Sequence, residues 1–98
     1  MRQRKAAREP IGIWYVAYFS SWRMSVEAVR VVSIGESMIT YLDGSQETRR
    51  AIKNFDQSFF PTFDEAKGWA ISKAEGRVSS LKDQLVETEE ALALLRAL

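Results

Sequence analysis

The ionisable and nucleophilic side chains of this 98-residue sequence are few in kind, because it contains neither histidine nor cysteine. Their absence removes imidazole acid–base catalysis, thiolate nucleophiles, disulfides and the common zinc ligand sets. Carboxylates remain, but Asp56, Asp64, Glu65 and Asp83 lack a spacing that would pair them for proton transfer. Glu87, Glu89 and Glu90 flank Thr88; adjacent positions on a helix point apart, so they read as a solvated face rather than a metal site. Ser20-Ser21 and Ser79-Ser80 have no base to activate them. Gly12, Gly35 and Gly44 stand alone, without a phosphate-cradling loop. The expectation is a protein with no catalytic residue, no cofactor and no metal, hence not an enzyme.

Recognition chemistry is better represented. Alternation along residues 11–22 puts Ile11, Ile13, Tyr15, Ala17 and Phe19 on one face of a strand, and Trp14, Val16, Tyr18 and Trp22 on the other. A helix covers only one face of a sheet. With the aliphatic face beneath it, Trp14, Tyr18 and Trp22 turn toward Arg23, Arg30, Arg49 and Arg50. That patch has three readings. Aromatics interleaved with arginine stack on single-stranded bases, the same residue types dominate protein–protein hot spots, and a curved sheet buries them in its own core. No RNP-like or GXXG signature supports the first reading.

The elements that must position these residues follow from pattern. Aromatic and β-branched residues fill residues 11–22 and 25–34, Gly35-Glu36 marks a turn, and residues 37–42 and 47–55 complete four strands. Asp43-Gly44 is the strongest hairpin signal. Short connections favour an antiparallel meander. Thr62-Phe63-Asp64-Glu65 has the spacing of a capping box, with the Thr62 hydroxyl accepting from the Glu65 amide and the Glu65 carboxylate reaching back to the Thr62 amide. The predicted class is α+β: a four-stranded meander followed by one helix from about 62 to 97, forming a single domain over residues 11–98 after a flexible basic tail at residues 1–10.

That helix is too long for its sheet, at roughly 50 Å against strands of about 20–30 Å. Phe63, Ala66, Ala70 and Ala74 form the stripe expected on the sheet. From Ile71 the apolar positions run in steps of three and four through Ala74, Val78, Leu81, Leu85, Thr88, Leu92 and Leu95, a heptad seam with one polar member. Gly68 and Gly76 each disfavour helix by about 1 kcal/mol relative to alanine. A break near Gly76, with Ser79-Ser80 capping a second helix, would hide the leucines; the seam, however, crosses Gly76 without a stutter. An exposed leucine stripe calls for a partner.

The charges beside the seam choose an orientation. With Ile71 at position a, the e positions are Glu75, Lys82, Glu89 and Arg96. A parallel pair would oppose Arg77 to Lys82 and form no salt bridge. An antiparallel pair centred between Leu85 and Thr88 sets Glu75 against Arg96 and Lys82 against Glu89, each twice by symmetry. An antiparallel homodimer through residues 78–95 is expected; a foreign helix on the seam is the alternative.

Net charge is +1, but residues 1–53 carry nine basic against five acidic residues and residues 54–98 carry five against eight. Four of those nine basic residues lie in residues 1–8, a solvated terminus or an electrostatic contact with an acidic partner or nucleic acid. No apolar run approaches the ~20 residues of a membrane span, and no secretory signal or membrane association is expected.

The order of a small antiparallel sheet, the Phe59-Phe60-Pro61-Thr62-Phe63-Asp64-Glu65-Ala66 lead-in and a long charged helix rich in leucine and alanine resembles short phage- or prophage-encoded accessory proteins, anti-CRISPR-like in size and style. The resemblance implies a non-catalytic binder in a bacterial cytoplasm that acts stoichiometrically on host defence machinery. It carries over no functional residue. The alternative from a different class is a small single-stranded nucleic-acid-binding protein using the aromatic–arginine face and the basic tail.

Overall fold

The computed structural model describes residues 8–98. Six elements follow in order: β1 (Gly12–Phe19), β2 (Met24–Ile34), β3 (Met38–Asp43), β4 (Gln46–Ala51), β5 (Gln57–Phe60) and α1 (Phe63–Arg96). The class is α+β. A single antiparallel sheet runs β4-β3-β2-β1-β5, with α1 packed on β1, β2 and β5. Gly44, at the first loop position of the β3–β4 hairpin, adopts φ 66° and lets Asp43 pair with Gln46.

The sheet has five strands, not four. Strand 4 stops at Ala51 rather than running to residue 55, and the next residues cross the end of the sheet. Ile52 donates its amide to the Ser37 carbonyl and accepts from the Phe59 amide, both at 2.8 Å. Ser58 Oγ tightens the turn, accepting from the Asn54 amide and donating to the Asn54 carbonyl. This delivers β5 to the free edge of β1, with Val16 opposite Phe59 and Tyr18 opposite Gln57. A four-residue strand is too short to show a period. It forms because β1 offers an open edge far upstream in the chain.

Ile52 thus ties the β4 side of the sheet to β5, and the sheet curls. A bulge between Val31 and Ser33 in β2 adds bend where the curl needs it. Inside, Val16, Val31, Ile39 and Phe59 are buried, with Trp14, Tyr18, Val29, Tyr41 and Ile52 packed around them. The Tyr41 and Phe59 rings sit 5.3 Å apart although β3 and β5 are not neighbours in the sheet.

The outer face takes the helix. Ala17 on β1 and Ala66 on α1 are both fully buried, and their small side chains let helix and sheet approach closely. The Tyr15 and Phe63 rings meet edge-on at 5.8 Å, and Phe60 packs against Trp69 at 6.2 Å. Thr62 Oγ1 accepts from the Glu65 amide at 3.2 Å and caps the helix. The reciprocal bond departs from the expected box, since the Glu65 carboxylate accepts from the Thr62 hydroxyl at 3.1 Å instead of from the Thr62 amide. Asp64 and Glu65 still face the positive end of the helix dipole.

From there α1 runs unbroken through Gly68 and Gly76. Ala74 is the last residue half-buried against the sheet, and every residue from Glu75 onward is exposed. Its 34 residues extend about 51 Å at 1.5 Å per residue, within a molecule measuring 80 × 31 × 21 Å. Among the described residues no helix is long and apolar enough to cross a membrane.

Two substitutions test this architecture by urea denaturation. Thr62→Ala should cost about 0.5–2 kcal/mol through loss of the cap. Phe59→Ala should cost about 3–5 kcal/mol, as for a large side chain removed from a packed core. An unchanged midpoint for Phe59→Ala would place β5 outside the core.

Candidate functional site

The stripe that docks α1 on the sheet, Phe63, Ala66, Ala70 and Ala74, continues in the same steps of three and four as Val78, Leu81, Leu85, Thr88, Leu92 and Leu95. The sheet ends and the stripe does not. Val78, Leu81, Leu85, Leu92 and Leu95 leave 44–64% of their surface to solvent. Thr88 Oγ1 donates to the Gln84 carbonyl at 2.7 Å, so the only polar member of the seam already has its hydrogen bond within the helix.

Glu75, Lys82, Glu89 and Arg96 project beside the seam, and among the described residues none of them forms an ion pair within the chain. Their positions fit the length of the overhang. The axis between Leu85 and Thr88 lies at the middle of the exposed run from Glu75 to Leu98, and the pairing it generates sets Arg96 of one copy beside Glu75 of the other, where the sheet stops. A deeper overlap would drive the second helix into the sheet, and a shallower one would leave leucines bare.

The aromatic–arginine patch does not assemble as a single surface. Trp14 and Tyr18 line the inside of the curl, half-buried against the core. Arg50 shares that face through its pairing with Ile39. Arg30 and Arg49 lie on the opposite face, since Arg30 pairs with Ile13 and Arg49 with Thr40, and pleat alternation separates them from Trp14 and Tyr18. Arg30 reaches the Gly44 carbonyl at 3.4 Å. Arg23 stacks on Tyr18 with its guanidinium carbon 3.6 Å from the ring centroid and is ion-paired with Glu27. Its charge is therefore largely answered within the chain.

Trp22 is not on the sheet face at all. It sits in the turn between β1 and β2, 83% exposed, and with Phe55, 85% exposed in the β4–β5 loop, it borders a groove of about 560 Å³ against α1. Sequence reasoning placed Phe55 at the end of a strand and so missed this groove. The available signal was an aromatic residue isolated between Asn54 and Asp56, in a stretch otherwise polar.

Residues 1–7 of the expected basic tail lie outside the described residues. Arg8, the last of its basic side chains, is held by the Glu47 carboxylate at 2.7 Å, which raises the guanidinium pKa further through the hydrogen bond and the charge. Among the described residues no three carboxylates converge to hold a metal ion. No known protein family, curated protein or solved structure matches the chain.

Burial raises the pKa of the Tyr18 and Tyr41 phenols, against the opposing pull of Arg23 and Arg50 respectively. A phenol whose folded pKa is raised contributes stability that is complete below its unfolded value near 10 and is lost as pH climbs through the folded value. Stability measured by urea denaturation should therefore decline above about pH 10, and replacing Tyr18 and Tyr41 together by phenylalanine should flatten the decline. An equally steep decline in the double variant would assign it to other groups.

Proposed function

We propose that this chain is a non-catalytic protein-interaction module that works as an antiparallel homodimer, pairing through Val78–Leu95 of the overhanging helix. The observation that carries the reading is an apolar stripe that continues from the sheet-packed half of α1 into a half with nothing to pack on. Burying the remaining exposed surface of five aliphatic side chains in each copy gives on the order of 10 kcal/mol before the cost of association. Each of the four flanking charge pairs adds only about 0.2–1 kcal/mol. The leucines supply affinity and the charges select orientation. The resemblance to small phage-encoded accessory proteins fits such a reading, in which a dimer binds host machinery stoichiometrically and the two sheet domains stand at opposite ends of the paired helices.

The nucleic-acid alternative draws less support. A stacking platform needs aromatics and several free cations on one face, whereas Arg23 is paired with Glu27, and Arg30 and Arg49 lie across the sheet from Trp14. Of the four arginines, Arg50 alone shares that face without an ion pair among the described residues.

Sedimentation equilibrium at tens of micromolar should return twice the monomer mass. Lys82→Glu and Glu89→Lys should each weaken association, and the two together should restore it, because the swap re-forms both pairs with reversed sign. A monomer at that concentration, or a double variant as weak as the singles, contradicts the proposal.

A further inference from the structure

We propose that the groove bordered by Trp22 and Phe55 is a second binding surface, which takes an acidic peptide segment carrying a large apolar side chain. Phe19 lies in this groove between the two loops, while Lys73 and Arg77 line its helix wall. Tryptophan and phenylalanine this exposed, on two separate loops that converge on one hollow, supply the large rigid contact area from which binding hot spots are made. The cavity has room for a side chain of phenylalanine or leucine size.

The charges state which partner fits. Among the described residues, Asp56 is the one carboxylate lining the groove, against two cations. Lys73 holds its ammonium 4.6 Å over the Phe55 ring and 5.3 Å from that of Trp69, so it steadies Phe55 while keeping its positive charge at the rim. Arg77 has no ion-pair partner among the described residues. A guanidinium with five donors is suited to gripping a carboxylate in a bidentate bond. An apolar side chain between Trp22 and Phe55, with a flanking carboxylate on Arg77, satisfies both parts of the groove at once. A basic segment would meet Lys73 and Arg77 as like charges.

Ser72, Lys73 and Gly76 put most of the groove's helix wall on a face of α1 away from the seam, and Arg77 stands at the border between the two. The test uses the full chain and a fluorescein-labelled, end-capped peptide, Asp-Glu-Phe-Leu-Asp-Glu, followed by fluorescence anisotropy. Saturable binding is expected. Trp22→Ala and Arg77→Glu, both at exposed positions, should each weaken it about tenfold or more. Replacing Phe-Leu by Ser-Ser, or the acids by lysine, should weaken it comparably. Absence of saturation up to about millimolar protein, equal binding of the lysine peptide, or binding untouched by both protein variants would overturn the proposal. So would displacement of the peptide by a single-stranded oligonucleotide at equal concentration, which would assign the groove to nucleic acid.

Discussion

A sheet shelters only as much helix as its own breadth, and here the helix is nearly three times as long as its sheltered stretch, Phe63 to Ala74. The contact that sets the limit is small. Ala17 of β1 and Ala66 of α1 are both fully buried, the Tyr15 and Phe60 rings pack against Phe63 and Trp69, and Ala74 is the last residue the sheet reaches. Beyond it the helix continues with the same apolar stripe, now carrying leucine in place of alanine. The change of residue type is physically apt. Alanines allow a helix to settle onto a pleated surface, whereas leucines at three-and-four spacing interdigitate with the side chains of another helix.

The curl of the sheet lets its inner face pack on itself. With Ile52 bonded to both Ser37 and Phe59, the strands wrap around Val16, Val31, Ile39 and Phe59, and Trp14 and Tyr18 close over them. Part of their aromatic surface is thereby taken up by the core. Among the described residues, exposed apolar side chains form a continuous row along the seam of α1 and meet across the groove between the loops that hold Trp22 and Phe55. Others, such as Ile11, Met24 and Ile34, lie elsewhere on the surface. The seam and the groove differ in character. The seam is a long row flanked by charges of alternating sign, self-complementary when reversed; the groove is compact and positively biased, complementary to something other than itself.

The parts legible in the sequence were those governed by local chemistry. Thr62 and Glu65 marked the helix start, Asp43-Gly44 marked the hairpin, and the uninterrupted step of three and four carried the helix through Gly76 despite two glycines. The alternation in β1 correctly put Tyr15 and Ala17 beneath the helix. What was not legible depended on pairing at a distance. Nothing in Gln57–Phe60 announces a strand until β1 offers its second edge, and nothing in Trp22 or Phe55 shows that two loops will face each other across α1. The faces of Arg30 and Arg49 were misjudged because side-chain direction depends on register, and the register of β2 and β4 is set by their partners rather than by their own composition.

The central claim is that the seam joins two copies of this chain in reversed orientation. Because the sequence has no cysteine, crosslinking can read that orientation directly. Leu81→Cys and Leu92→Cys, prepared as separate variants, would be mixed, allowed to exchange and oxidised mildly. In the antiparallel pairing position 81 lies opposite the partner's position 92, while two copies of position 81 are about 16 Å apart along the axis, well beyond disulfide reach. Mixed disulfides between the two variants, with neither variant crosslinking alone, is the result this account predicts. Efficient 81–81 and 92–92 disulfides would show a parallel pair and contradict it, and so would the absence of any crosslink.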